Sequence, residues 1–148
     1  MNYKDWYYMT TAVTMDMNRY KEEAVQAIMQ IIAHESNGGK YWEQQGGGPA
    51  LGPIQMEPTT HDSIWDNSDS IHMLAQKLMI RRDVEQLRDS AIYNIFMARC
   101  YLLMDTKPLP KNATSMSYYL KKYWNSEKGK AEPLDYFYKW NRWRGGKL

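Results

Sequence analysis

Residues 33–58 read AHESNGGKYWEQQGGGPALGPIQMEP, and one carboxylate, Glu35, stands in them at the end of an apolar helical run. Ala24, Ile28, Ile31 and Ile32 recur at helical spacing, and Glu35 lies seven residues beyond Ile28 and four beyond Ile31. That spacing sets its carboxyl at the edge of the core-facing side. There it meets the negative end of the helix dipole and partial desolvation, and both disfavour its charged form. A carboxyl that keeps its proton at neutral pH is what a general acid needs to protonate a leaving oxygen, as in glycoside cleavage. The plainer alternative is a half-exposed helix end paired with a Lys or Arg.

The residues after Glu35 bear on that choice. Glycines let a backbone approach a ligand closely, and a long loop between two apolar helices of a compact domain is usually functional. Gln44, Gln45 and Gln55 both donate and accept, which matches sugar hydroxyls and N-acetyl groups. Tyr41 and Trp42 offer faces on which a sugar ring stacks. Glu43, Glu57, Asp62 and Asp66 are the nearby carboxylates from which a second catalytic group would come. Spacing singles out none of them, and surface carboxylates are mostly just solvated.

Other chemistries find less support. His34-Glu35 lacks the second histidine, four residues on, that a zinc-binding helix requires, and His61 and His72 have no ligand spacing of their own. The expectation is therefore no metal and no cofactor, with the histidines on the surface or structural. No nucleophile elbow, P-loop or dinucleotide fingerprint occurs. Cys100 is the only cysteine, so no internal disulfide forms, and it is expected to pack as a small hydrophobe. A net charge of +2 argues against nucleic acid and leaves a weakly anionic polymer as a suitable partner. Six Trp and twelve Tyr against two Phe favour surfaces half buried and half in contact with something polar.

Helical periodicity positions these groups, and the 148 residues fit a single, mainly α domain. The helix carrying Glu35 is expected to start at Asn18 as N-cap and to stop at Asn37, Gly38 and Gly39. Another is expected from about Pro58 to Trp65, and two buried helices carry Ile71, Leu74 and Leu78, then Ile92, Ile95, Phe96, Leu102 and Leu103. After a proline-containing linker, Met116, Leu120, Tyr123 and Trp124 share a short helix, and a last aromatic helix opens at Pro133. The N-terminus has no uninterrupted apolar stretch of the kind that directs export, and no segment reaches membrane-spanning length.

Glu35-Ser36 followed by ALGPIQM at 50–56 resembles the ES…GxxGLMQ signature of goose-type lysozymes and lytic transglycosylases, and KYWNSEKG at 122–129 resembles their later AYNxG motif. The resemblance covers residues 20–140 or so, with the motifs in the family's order. It implies a lysozyme-like catalytic domain over residues 1–148, helices around a sugar-binding cleft, with Glu35 as catalytic acid. Ser36, Gly52, Ile54 and Gln55 would line the cleft, joined by Trp42, and Trp124 and Asn125 would take the places of the motif's Tyr and Asn. Pro53 stands where the family has leucine, a serine-containing segment is missing, and Trp124 has no phenol, which leaves Tyr123 to supply one.

The activity implied is cleavage of the MurNAc–GlcNAc β-1,4 bond of bacterial peptidoglycan by lytic transglycosylation. Glu35 protonates the glycosidic oxygen and then, as carboxylate, helps the muramyl C6 hydroxyl close a 1,6-anhydro ring. Hydrolysis, with Glu57 or Asp62 as base, is one alternative. A non-catalytic glycan-binding or phage structural module, suggested by Pro53 and Trp124, is the other. Small size and the lack of an export signal resemble phage endolysins or virion-associated lysins. Such a protein is made in the host cytoplasm and reaches the cell wall from the periplasm by holin release or virion delivery. It binds neither nucleic acid nor membrane and is a monomer outside a virion.

Overall fold

The computed structural model describes residues 1–125 and 129–146, so Ser126, Glu127 and Lys128 of the second motif lie outside the described residues. The chain is mainly α: α1 (Tyr3–Asp16), α2 (Glu22–Ser36), α3 (Pro58–Asn67), α4 (Ile71–Leu78), α5 (Ala91–Leu103), α6 (Ala113–Leu120) and α7 (Asp135–Trp143). A 3₁₀ turn at Val84–Arg88 precedes α5, and a π turn at Lys121–Asn125 follows α6. Among the described residues there is no strand, only isolated bridges from Leu51 to Glu43 and to Met56. No described helix is long and apolar enough to cross a membrane.

α2 is the central element, packed against α1, α5, α6 and most extensively α7. Ile28, Ile31 and Ile32 are fully buried, each worth about 1.5–3 kcal/mol relative to exposure. Gln30, also buried, donates to the Ala113 carbonyl at 2.8 Å and ties α2 to the start of α6. α5 is apolar almost all round and buried from Tyr93 to Cys100, where burial pushes the Cys100 thiol up to about 12. The buried faces of α4 and α6 follow the expected stripes at Ile71 and Leu74 and at Met116 and Leu120, with Leu78 half-buried.

Several local expectations are corrected. α1 has no counterpart in the sequence reading, because its periodicity is interrupted by buried Thr10 and Thr14; an Asn2–Asp5 capping box starts it. Asn18 is not the N-cap of α2: it turns the chain after α1 at φ +57, and Lys21 holds the cap position. Ile92 is 49% exposed, because the inward position of that turn belongs to Asn94, which donates to the Leu87 and Ser90 carbonyls. Tyr123 and Trp124 lie on the π turn, not on α6. α7 opens at Asp135, after Pro133, whose carbonyl accepts the Ser117 hydroxyl at 2.8 Å. Phe137 N donates to that same hydroxyl oxygen at 3.0 Å, so α6 fixes the start of α7.

The glycines after Glu35 serve packing as much as access. A Cβ on Gly38 would sit 2.7 Å from the Trp143 indole nitrogen, and one on Gly52 would sit 2.2 Å from the Leu87 carbonyl oxygen. Gly46, at φ +85, has open space around it. Gly52→Ala therefore combines left-handed strain with a backbone clash, and its melting temperature is expected to drop by about 6 °C or more. Gly46→Ala carries the strain alone and should lose about 2–4 °C; thermal unfolding of the two variants side by side checks the difference.

Candidate functional site

The C-terminal turn of α2 delivers Glu35 to a cleft of about 670 Å³, within the range of small-molecule sites. One wall comes from Tyr101 of α5 and from Tyr123, Trp124 and Asn125 of the π turn. The other comes from the loop, with Gln44, Gln45 and Gln55, and Glu57 and Thr60 close the end at the start of α3. Single π turns inside helices recur at functional sites. Here the wider turn lets three consecutive side chains face one cavity.

Glu35 retains 16% side-chain exposure, and its recorded bonds converge on one oxygen. The Tyr136 hydroxyl donates to Oε2 at 2.7 Å, and His34 Nδ1 lies 3.1 Å from the same atom. The His34 and Tyr136 rings stack, with centroids 4.1 Å apart and planes inclined by 30°. Lys121 Nζ donates to Asn125 Oδ1 at 3.0 Å and to the Gly129 carbonyl at 2.8 Å. Burial, and then the neighbouring Glu35 charge, hold the Tyr136 phenol well above its ordinary range.

Of the residues expected at the site, Glu35, Gln55, Tyr123, Trp124 and Asn125 line the cleft together. Ser36, Trp42, Gly52 and Ile54 do not. Ser36 is buried, its hydroxyl donating to the Ile32 carbonyl and accepting Gly39 N, so it shapes the turn beneath Glu35. Trp42, half-buried, donates its indole N–H to the Gly39 carbonyl at 2.9 Å and leans on Trp6, outside the cleft lining. Gly52 is enclosed by Leu87 and Asn94, and Ile54 is fully buried. Gly52 and Ile54 act indirectly, building the tight reversal between Leu51 and Met56 that turns Gln55, at φ +48, toward the cleft.

The Tyr123 hydroxyl is spent on the Tyr101 backbone carbonyl, so Tyr123 supplies no phenol to Glu35. The phenol comes from Tyr136, which spacing had no means of finding, since it lies 101 residues from Glu35. His34, adjacent to Glu35 in sequence, was legible as a neighbour but was read as surface or structural. Tyr101 and Thr60 also went unnoticed. Tyr101 belongs to a helix whose pattern announces only core.

The other carboxylates separate clearly. Asp62 is bonded to His61 at 2.9 Å and lies 3.5 Å from Arg82, and these partners, His61 foremost, hold its carboxyl below the usual range. Asp66 pairs with Arg82 at 2.9 Å. Glu43 and Glu57 line the cleft with Glu35. His61 itself is structural: the Tyr93 hydroxyl accepts from Trp65 Nε1 and Asp83 N and donates to His61 Nε2 at 2.6 Å, which anchors α3 to α5. Among the described residues no group of three or more His, Cys, Asp or Glu side chains gathers to hold a metal ion.

A scan against protein-family models gives no match, and neither curated proteins nor solved structures contain a significantly similar chain. The function must therefore be argued from the cleft.

Burial also raises the Tyr3, Tyr93, Tyr101, Tyr119 and Tyr123 phenols, so six phenols titrate later in the folded state than in the unfolded chain. Stability from such groups is fully present below the unfolded value near pH 10 and is lost as pH climbs past it. Thermal scans from about pH 8 to 11 are expected to show a falling melting temperature above pH 10. Tyr136→Phe should make that decline shallower.

Proposed function

We propose that this protein cleaves the MurNAc–GlcNAc β-1,4 bond of bacterial peptidoglycan, with Glu35 as general acid and then base. The observation that carries the reading is one partly buried carboxyl, held on Oε2 by Tyr136 and facing a cleft walled by amides, hydroxyls and aromatic rings. Such a lining matches a polymer rich in hydroxyl and N-acetyl groups. The restrained carboxyl matches a proton donor that must stand in one place during transfer.

Lytic transglycosylation is the first reading. Glu35 gives its proton to the glycosidic oxygen as the C1–O bond breaks, and the carboxylate formed takes the proton of the muramyl C6 hydroxyl as that oxygen bonds to C1. Only one carboxyl is required. The resemblance to goose-type lysozymes and lytic transglycosylases supports it, as does Asn125 of the second motif, which lines the same cleft. On this reading the fold is lysozyme-like and the protein is a phage endolysin or virion-associated lysin whose partner is the cell wall. A second reading, hydrolysis, is favoured by Glu43 and Glu57, which line the same cleft and offer a base for water.

Digestion of purified sacculi, with mass spectrometry of the released fragments, tests both. Muropeptides ending in 1,6-anhydroMurNAc are expected, and reducing MurNAc ends would replace the first reading with the second. Glu35→Gln should lower release about 100-fold or more, the scale of a lost general acid. Undiminished release by that variant overturns the assignment. Binding to sacculi without release would mark a glycan-binding module.

A further inference from the structure

His34 has been treated so far as a neighbour of Glu35, yet its geometry gives it a task. Its side chain is only 13% exposed, its Nδ1 lies 3.1 Å from Glu35 Oε2, and its ring is clamped against that of Tyr136, whose hydroxyl donates to the same oxygen. We propose that His34 is a positioning residue whose Nδ1–H holds Glu35 Oε2, so that the transferable proton of the acid is carried on Oε1. The inference rests on the reading of Glu35 as the acid and names how that acid is oriented.

The argument is one of donors and lone pairs. A carboxyl oxygen has two acceptor directions, and Tyr136 and His34 occupy both on Oε2. A proton on Oε2 would point at one of these donors, so it resides on Oε1. When Oε1 protonates the glycosidic oxygen, the C1–O bond electrons leave with that oxygen and Glu35 becomes a carboxylate. His34 keeps its own proton throughout, and its bond to Oε2 becomes charge-assisted and stronger. The histidine thus acts on the state that forms during the reaction more than on substrate binding. Which ring nitrogen carries hydrogen follows from the partner it must satisfy, here Nδ1.

Two substitutions separate this from a packing role. His34→Phe keeps a flat ring against Tyr136 and removes the N–H, whereas His34→Asn returns an N–H close to the Nδ1 position. For muropeptide release, His34→Phe is expected to lower kcat about tenfold or more, as for a lost hydrogen bond to a charged group, with KM and melting temperature unchanged. His34→Asn should recover to within about threefold of the parent. Equal kcat in His34→Phe, or His34→Asn no better than His34→Phe, overturns the proposal. Long-range ¹H–¹⁵N spectra provide a readout independent of turnover. The parent should show His34 protonated on Nδ1, and Glu35→Ala should move that proton to Nε2. An Nε2–H tautomer in the parent overturns the proposal whatever the activity. Absence of muropeptide release from the parent overturns the functional reading instead, and the tautomer then decides the His34 contact by itself.

Discussion

A hydroxyl of α7 and a carboxyl of α2 meet at 2.7 Å after a separation of 101 residues, and the cleft depends on keeping those two helices in register. Their mutual packing is the most extensive in the molecule. Both ends of α7 are tied down independently of the bond they support. At its start, the Ser117 hydroxyl donates to the Pro133 carbonyl and accepts the Phe137 amide. At its end, the Trp143 indole lies against Gly38, two residues past the end of α2, where any side chain would displace it. Tyr136 is thereby held by backbone geometry, and its bond to Glu35 does not have to recruit a mobile side chain.

Near that bond, Lys121 Nζ holds Asn125 Oδ1 at 3.0 Å. Inside a protein an unpaired polar group is costly, so such bonds favour one arrangement over several near-equivalent ones. The tyrosines divide the labour. Tyr123 and Tyr119 stack at 5.3 Å with their hydroxyls committed to the Tyr101 carbonyl and to Asp105, so Tyr123 gives its ring to the cleft lining and Tyr119 backs it. Tyr136, fully buried, presents its hydroxyl to Glu35 instead.

Much of the fold was legible because periodicity is a local property. The apolar stripe of α2 fixed both the helix and the edge position of Glu35, and the stripes of α4 and α6 gave their buried faces. α1 was missed because buried threonines interrupt its stripe, and Ile92 was misplaced because a polar residue, Asn94, took the inward position. In the site, what could be read was the carboxyl, the loop glutamine and the later Trp-Asn pair. Tyr136 could not be read, since no spacing rule links two helices so distant in sequence. Gly38 was read as part of the stop of α2, and the helix does end there, whereas Gly52 was read as lining the cleft. Both also make room, for Trp143 and for the Leu87 carbonyl, contacts that only three-dimensional packing reveals.

The cleft treats its carboxyls unequally, and the inequality bears on the chemistry. Glu35 closes a helix at its C-terminal end, where the peptide dipoles oppose a negative charge, and two side chains restrain it. Glu57 occupies the N-cap position of α3, where the same dipoles favour a negative charge, and its side chain makes no capping bond that would hold it away from the cleft. Helix ends of opposite polarity thus face one cavity, one carrying Glu35 and the other Glu57. Transglycosylation uses the first alone, because the substrate's own C6 hydroxyl is the nucleophile. Water needs the second as well, and it needs space between the two carboxyls for a molecule that a sugar hydroxyl would otherwise exclude. On the proposed reading, product chemistry is then decided by whether the bound glycan brings its C6 hydroxyl over C1 before water reaches Glu57, a matter of how the tyrosine wall and the loop glutamines seat the muramyl ring.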